Sequence, residues 1–491
     1  MRGSSSNLEN YNRGHDELGE QTMKGRPTTD QFLKQLQIMV DQLRDEIRGG
    51  VHAAGAKLPS EKQLAARFGL GNNSIRKGLD MLVAEGLIEK IPRVGNRIKP
   101  EGASRTPVTL TLVCMPISKL NLELSGLLAE FGKMYPWITV KIKHPNVIPE
   151  IDDQGNMEPF DLIMMSDYQF RLLAEDGHAS KLEALSEHPD LYPQLSSLFS
   201  YDGTLYLQPL IFSPIVLCYN KAHFRECGLA EPDGSWTWDD LMRSAEKLYD
   251  GRGRYGFCYQ VHHMNRWPIF LLQSCERFEW EGTRLKELRG TRLLESMNVC
   301  KSIIQNRKVF PMFLSEGNNT SLQMFLEGKL SMVLNSYMGL NMWKDAKIDY
   351  DISPIPFIDE PRTMLIGMGV GINTGSEQKE EAKLLIDFLT SPLAQQFISQ
   401  HTLSLPATRH LPPKSGKTML RRPERYPLFR EILFSCRAIS ELQLPMSSFS
   451  RLFYQLKAYW ADMIDEDELC ERIVQSISQH DKTPYTVEIA P

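Results

Sequence analysis

The first hundred residues alternate apolar and polar positions in a pattern that predicts three helices followed by a hairpin. The first helix is marked by apolar residues at spacings of three and four, namely Phe32, Leu36, Val40, Leu43 and Ile47. A second helix begins after Ser60, because Ser60 and Gln63 have the types and spacing of a capping box. Its inner face is formed by Leu64, Ala65 and Phe68, and Gly69 ends it.

The third helix is predicted from about Asn72 to Ala84, with an outer face that is short, polar and rich in donors. Two strands at 87–90 and 96–98 follow, with residues 92–95 at the tip between them. Two short helices, a turn with glycine and a basic β-ribbon are the parts of a winged helix-turn-helix, a unit that enters a DNA groove. We therefore expect double-stranded DNA as a partner.

Residues 31–99 resemble the GntR family of bacterial transcription regulators. The matching segments, in one register, are Leu58-Pro59-Ser60-Glu61, Leu64-Ala65, Phe68-Gly69, Ile75-Arg76, Leu79, Leu82 and Glu85-Gly86-Leu87-Ile88-Glu89. By position, the resemblance implies DNA contacts from the second helix, the third helix and the wing. With the outward-facing Lys77 and the wing residue Arg93 included, the expected DNA-contact residues are Lys62, Gly71, Asn72, Asn73, Arg76, Lys77, Arg93 and Gly95.

Three of these positions depart from the family pattern. Asn72 stands where an arginine is usual, Arg93 where a wing glycine is usual, and Lys62 where the family has arginine. Asparagine pairs with adenine and arginine with guanine in the major groove. We therefore expect an operator that differs from the commoner sites of the family.

From Pro107 onward the pattern changes to buried strands that alternate with amphipathic helices. Residues 108–115, 137–143 and 161–165 read as strands, and apolar residues between 124 and 135 mark a helix. This alternation predicts a parallel α/β sheet, whose ligands bind beyond the carboxyl ends of the strands. Asp167 and Tyr168 follow such an end. The tail from 423 to 479 shows helical spacing, in Ile432, Cys436 and Leu442 and again from Phe453 to Ile464.

This second part resembles the extracellular solute-binding protein superfamily, the receptors of ABC importers for sugars and oligosaccharides. The resemblance covers about 310 residues and rests on the order of its motifs rather than on any one of them. These motifs are Asp202-Gly203-Thr204-Leu205-Tyr206-Leu207-Gln208-Pro209, Tyr219-Asn220-Lys221, Ser235-Trp236-Thr237-Trp238-Asp239-Asp240-Leu241, Phe325-Leu326-Glu327-Gly328-Lys329, Gly367-Met368-Gly369-Val370-Gly371, Ser391-Pro392 and Leu405-Pro406-Ala407.

The resemblance implies two α/β lobes that close on a ligand, as in a periplasmic-binding-protein-like fold. Aromatic faces that stack on a sugar ring and polar groups that bond its hydroxyls are expected in the cleft. By position, the candidate ligand residues are Asp167, Tyr168, Ser213, Trp267, Ser336, Tyr337 and Met368. Core packing is an equal alternative for Trp267 and Tyr337, and it is the favoured role for Met368.

The charge of the chain also changes between the predicted DNA-binding part and the part that follows it. Residues 1–100 carry 16 Lys and Arg against 12 Asp and Glu, although the whole chain has a net charge of −5. A basic head on an acidic body fits a DNA-binding module joined to a part that does not touch DNA. The eight cysteines show no zinc-binding spacing, and no apolar run reaches the roughly 18 residues of a membrane span.

Together these features predict four segments. They are a disordered extension at 1–27, a winged-helix domain at 28–100, a linker at 101–107 and a two-lobe ligand-sensing domain at 108–491. The expected function is a cytoplasmic transcription regulator, a repressor, that binds DNA as a homodimer and senses a sugar or oligosaccharide. We expect no membrane, metal or cofactor and no catalytic residues. The alternative is a GntR-headed protein with an aminotransferase-like body that binds pyridoxal phosphate.

Overall fold

The computed structural model describes residues 29–48, 55–84, 86–91, 94–99, 107–145, 158–315, 320–411 and 420–478. The chain divides into two compact units, Met1–Arg105 and Thr106–Pro491. The predicted extension at 1–27, the wing residue Arg93 and the linker up to residue 106 lie outside the described residues. Within the described ranges, no helix combines the length and the apolar character needed to cross a membrane.

The first unit is a winged helix-turn-helix, as the sequence predicts. Its elements are α1 (Thr29–Arg48), α2 (Glu61–Phe68), α3 (Asn72–Ala84), β1 (Ile88–Ile91) and β2 (Gly95–Ile98). Ser60 accepts from the Gln63 amide and the Gln63 side chain accepts from Ser60, so the predicted capping box forms. Apolar side chains from every element meet in one core, which includes Val40, Leu43, Leu64, Ile75, Leu79, Leu82, Ile88 and Ile98.

The second unit alternates strands and helices. Its first half contains β3 (Val108–Val113), α4 (Pro116–Leu122), α5 (Leu124–Met134), β4 (Ile138–Lys143), β5 (Leu162–Ser166), α6 (Asp167–Glu175), α7 (Pro193–Ser196), β6 (Ser200–Tyr201), β7 (Thr204–Leu205), β8 (Gln208–Asn220), α8 (Lys221–Glu226), α9 (Trp238–Leu248) and β9 (Tyr255–Cys258). Its second half contains α10 (Pro268–Gln273), β10 (Trp280–Glu281), β11 (Arg284–Leu285), α11 (Arg292–Gln305), α12 (Met312–Ser315), α13 (Thr320–Leu326), β12 (Leu330–Ser336), β13 (Tyr350–Ser353), β14 (Thr363–Ile372), α14 (Lys379–Thr390), α15 (Pro392–His401), β15 (Leu405–Pro406), α16 (Phe429–Ile432), β16 (Cys436–Arg437), α17 (Met446–Trp460) and α18 (Glu466–Ser478).

One long strand joins the two lobes of this unit. The sheet runs in the order β4-β3-β5-β14-β8-β12-β9. Residues 208–214 of β8 pair with β14 in the first lobe, whereas residues 215–220 pair with β12 and β13 in the second. All 13 residues of β8 are buried. The crossing between the lobes therefore lies at Ser213-Pro214.

The tail departs from the sequence prediction at its start. The spacing of Ile432, Cys436 and Leu442 predicts one helix, and this prediction is wrong at Cys436. Cys436 lies in strand β16, which pairs in parallel with the start of β14. Pairing with a neighbouring strand satisfies the backbone here better than a helix would. The later part of the tail is helical, in α17 and α18, as predicted.

Close packing of α9 on β9 generates a testable prediction. A Cβ added at Gly256 would lie 2.1 Å from the carbonyl oxygen of Ala245, a backbone atom of α9. We expect Gly256→Ala to lower the free energy of unfolding by about 1–3 kcal/mol, because the backbone must shift. Gly132→Ala in α5 is the matched control. It meets nothing within 4 Å and should raise stability by about 0.5–1 kcal/mol. Urea denaturation of the full chain measures both, and equal stabilities of the two variants would contradict the prediction.

Candidate DNA-reading surface and ligand site

The predicted DNA-contact residues form an exposed surface on the first unit. Lys62 on α2 and the four predicted side chains on α3 are all exposed, namely Asn72, Asn73, Arg76 and Lys77. Gly71 has open space around the position of a Cβ, as does Gly95 at the start of β2, where φ is +106°. Open glycines allow the backbone to approach a phosphate closely. The DNA contacts themselves remain a prediction.

Arg76 is held in place by a neighbour on α2. Its Nε donates to Glu61 Oε2 at 2.8 Å, and 59% of the side chain is exposed. Among the residues that the structure describes, neither terminal nitrogen of this guanidinium has a hydrogen-bond partner. A fixed, planar fork with free donors is the arrangement that reads guanine or grips a phosphate.

The wing is tied to the third helix and to the segment before α2. Lys90 of β1 forms an ion pair with Asp80 of α3. Arg97 of β2 donates from Nε to the Gly55 carbonyl at 2.6 Å, and the Leu58 amide donates to Asn96 O at 3.0 Å. These contacts fix the hairpin beside α3, so that helix and wing present one surface.

In the second unit, Asp167 lies at the carboxyl end of β5, where α6 begins. Its Oδ1 accepts a hydrogen bond from the Gly367 amide of β14 at 2.9 Å. Burial raises the pKa of this carboxyl to about 6, against the lowering effect of three backbone amides. Met368, the next residue of β14, pairs with Ser166 and with Ile211 at a β-bulge. Tyr168 follows on α6 and is half-buried.

Ser213, Ser336 and Tyr337 lie where β8 passes from one lobe to the other. Ser213 Oγ accepts from the Met338 amide at 3.2 Å, and Ser336 Oγ accepts from the Gly339 amide at 3.0 Å. The Tyr337 hydroxyl donates to the Tyr426 carbonyl at 3.0 Å. Each hydroxyl already has one protein partner, but the Ser336 hydroxyl, which only accepts in its bond with Gly339, can still donate to a ligand.

Trp267 lies away from this group, in the core of the second lobe. The side chain is 1% exposed, and its ring stacks on Phe453 of α17 with centroids 5.6 Å apart. The ring face that would stack on a sugar is covered by α17 in this conformation. Its indole Nε1 is buried and has no hydrogen-bond partner within the described ranges of the chain. The ligand role of Trp267 and of the other six residues stays a prediction.

Sequence reasoning missed Arg266, the residue before Trp267. Only 4% of Arg266 is exposed, and its Nε donates to the Leu334 carbonyl of β12 at 3.2 Å. One feature of the sequence pointed to it, since a lone arginine precedes the apolar segment 267–272 without an acidic residue nearby in the chain. Its burial is visible only in the fold.

The comparison with protein families decides which family the second unit represents. Residues 126–418 match the family described as bacterial extracellular solute-binding protein, over more than half of the chain. The chain belongs to this solute-binding protein family. Residues 36–98 match the family of bacterial regulatory proteins, gntR family, so the chain also carries a GntR-type helix-turn-helix domain. An aminotransferase-like body, the alternative from sequence, finds no support in these matches.

Curated relatives match one unit or the other. A maltotriose-binding protein of Pyrococcus abyssi is 26% identical over 170 residues, which are 33% of this chain and 34% of the relative. An uncharacterized HTH-type transcriptional regulator of Mycobacterium tuberculosis is 39% identical over 72 residues, 14% of this chain and 30% of the relative. The chain thus spans about a third of the length of the curated relatives it matches.

Solved structures of sugar receptors share the fold of the solute-binding body. An ABC substrate-binding protein of Listeria monocytogenes in complex with cycloalternan superposes with a TM-score of 0.63 at 21% identity, covering 75% of this chain and 98% of that chain. Maltose-bound MalE3 of T. maritima superposes with a TM-score of 0.61 at 18% identity, covering 75% and 99%. The body therefore has the two-lobe, MalE-like fold that the sequence predicts.

The buried carboxyl of Asp167 predicts a pH dependence of stability. Because its folded pKa of about 6 lies above the unfolded value, the native state binds the proton more tightly. The resulting stability is complete below about pH 4 and is lost as pH rises through 6. Asp167→Asn keeps an acceptor for Gly367 and removes the titration. We expect wild-type protein to lose about 1–3 kcal/mol relative to this variant between pH 4 and pH 7. Urea denaturation across this range measures it, and parallel pH curves would contradict it.

Proposed function

We propose that this protein is a DNA-binding transcription regulator whose solute-binding body senses a sugar or oligosaccharide. One observation carries the proposal: a GntR-type reader with an exposed helix and wing shares a polypeptide with a two-lobe solute-binding fold. A DNA-binding domain by itself would bind its operator whether or not a ligand is present, and a solute-binding domain by itself would not affect transcription. In the fused chain, ligand binding to the body can control DNA binding by the GntR-type domain.

The saccharide class is supported by the relatives. One curated relative is named for maltotriose, and two of the similar structures contain cycloalternan and maltose. A saccharide that binds between the lobes would bind one lobe arrangement more tightly than another. Only such differential binding can shift an equilibrium between two arrangements. Strand β8, which pairs in both lobes, is the element whose backbone changes when the lobes move.

We propose further that two copies bind one operator as a homodimer and that the saccharide releases them, which makes the protein a repressor. A single winged helix reads a short half-site, and paired half-sites raise both affinity and specificity. Because such an operator lies in chromosomal DNA, we propose that the protein acts in the cytoplasm. No catalytic step is needed for this mechanism, and we propose none.

The DNA-reading surface is tested by replacing Arg76. If its free guanidinium nitrogens contact DNA, Arg76→Ala should cost about 1–3 kcal/mol of operator affinity. The matched control is Arg67→Ala on α2, because Arg67 is occupied by an ion pair with Glu46 of α1. Operator fragments selected from genomic DNA by the wild-type protein serve as the probe in gel-shift titrations. Equal affinities of wild type and Arg76→Ala would remove Arg76 from the interface.

Sensing is tested by adding saccharides to the protein–operator complex. We expect maltotriose or another member of a saccharide library to change operator affinity by about 5–150-fold, the usual range of allosteric coupling. The same compound should reduce the radius of gyration of the full chain in small-angle scattering, because the lobes close on it. A library in which no saccharide changes DNA affinity would overturn the sensing function while leaving DNA binding intact.

A further inference from the structure

Arg266 lies at the edge of the second lobe where ligands of α/β folds bind. Strands β9 and β12 run in parallel, with Val333 beside Cys258, and both end at the same edge of the sheet. Arg266 ends the segment that follows β9, and its Nε is bonded to Leu334, two residues before the end of β12. Ligands in such sheets bind beyond the carboxyl ends of the strands.

The contacts of Arg266 are all with neutral groups. Besides Leu334 O, its Nη1 donates to the carbonyl oxygen of Asn265 at 3.1 Å and to the side-chain oxygen of the same residue. Within the part of the chain that the structure describes, no carboxylate lies at ion-pair distance from its guanidinium. Nη2 makes no hydrogen bond with those residues.

Arg254, at the opposite end of β9, is an arginine of the same lobe that has both a hydrogen-bond acceptor and a counter-charge. Its Nε donates to the Leu248 carbonyl at 3.0 Å, much as Arg266 donates to Leu334. Its Nη1 also donates to the carboxylate of Glu226 at 2.7 Å. Arg254 has both a carbonyl and a counter-charge, whereas Arg266 has only carbonyls.

A buried cation without a counter-charge is costly. Removing a charge from water costs several kcal/mol unless an opposite charge and hydrogen bonds replace the solvent. Burial accordingly lowers the pKa of Arg266 to about 10, although the group stays charged near neutral pH. His263 adds no second positive charge, because burial and the nearby Arg266 lower its pKa to about 3 and keep the ring neutral.

Two further donors of this lobe have no acceptor among the described residues. Asn335 Nδ2, one residue after the Arg266 partner Leu334, is buried without a hydrogen-bond partner there, and so is the indole Nε1 of Trp267, the residue after Arg266. Both groups are donors, and the neighbouring Arg266 is a cation. A ligand that brings acceptor oxygens and a negative charge would complement this set.

We propose that Arg266 is the anion-binding residue of the ligand site and that the effector is an acidic saccharide, with a carboxylate or phosphate group. This inference rests on the proposed function, since it specifies the ligand of the same body. The guanidinium would bind two oxygens of the acid group side by side, while other groups of the cleft bond the sugar hydroxyls. A neutral sugar would leave the charge of Arg266 buried and unpaired, and would bind more weakly for that reason.

The experiment uses calorimetry on the full chain with matched pairs of saccharides. The pairs are D-glucose and D-glucuronate, D-galactose and D-galacturonate, and D-glucose and D-glucose 6-phosphate. We expect at least one acidic member to bind at least tenfold more tightly than its neutral partner, and the pair that shows it distinguishes a carboxylate from a phosphate. Binding by no acidic member, or equal binding within every pair, would overturn the proposal.

Variants separate recognition of the anion from support of the fold. Arg266→Gln keeps a donor for Leu334 O but removes the charge, and should reduce the preference for the acidic member to within about twofold. Arg266→Lys keeps the charge and should retain part of it. Arg254→Gln, the matched control, should retain all of it. If Arg266→Gln weakens both members of a pair equally, the residue only supports the lobe and the proposal fails. If Arg266→Gln does not fold, the affinities of the wild-type protein and of Arg266→Lys for the saccharide pairs still test the proposal.

Failure of this inference differs from failure of the proposed function. If a neutral saccharide changes operator affinity equally in wild type and Arg266→Gln, the proposed regulatory function is supported and the proposal of an acidic ligand is contradicted. If an acidic saccharide binds through Arg266 but leaves operator affinity unchanged, the proposal of an acidic ligand is supported and the proposed sensing function is contradicted.

Discussion

Strand β8 is the constraint on which the solute-binding body depends. Its 13 consecutive buried residues hydrogen-bond to β14 in the first lobe and to β12 and β13 in the second. A change in lobe angle must therefore be absorbed where the pairing passes from one lobe to the other, at Ser213-Pro214. The Ser213 hydroxyl, bonded to the Met338 amide, connects this point directly to the end of β12.

The two lobes place buried ionisable groups of opposite kind near the carboxyl ends of their strands, and neither has a counter-ion among the described residues. Asp167 in the first lobe is satisfied by backbone amides, and Arg266 in the second by carbonyls. A carboxyl can lose its charge by taking up a proton, which is why its pKa rises. An arginine cannot do so near neutral pH, and the proposed acidic ligand would supply the counter-charge that Arg266 lacks among the described residues.

The candidate sites of the two units differ in their exposure to solvent. The predicted DNA-contact surface is exposed and basic, and in it Glu61 bonds Arg76 and Asp80 bonds Lys90. In the body, the predicted ligand residues are mostly buried and several already bond protein groups. Exposed charges bind polyanions at little desolvation cost, whereas buried groups discriminate between small ligands.

Most helices and strands and the resemblance to both families could be predicted from the sequence, because caps, turns and apolar periodicity depend on residues close together in the chain. The Ser60–Gln63 capping box and the wing around Gly95 both form as predicted. The start of the tail did not follow its local spacing, since a strand partner at Thr363 outweighed it. Only the tertiary structure decided which predicted ligand residues are already bonded, that α17 covers Trp267, and that Arg266 is buried without a counter-charge. Burial and pairing depend on residues far apart in the chain, so no local pattern encodes them.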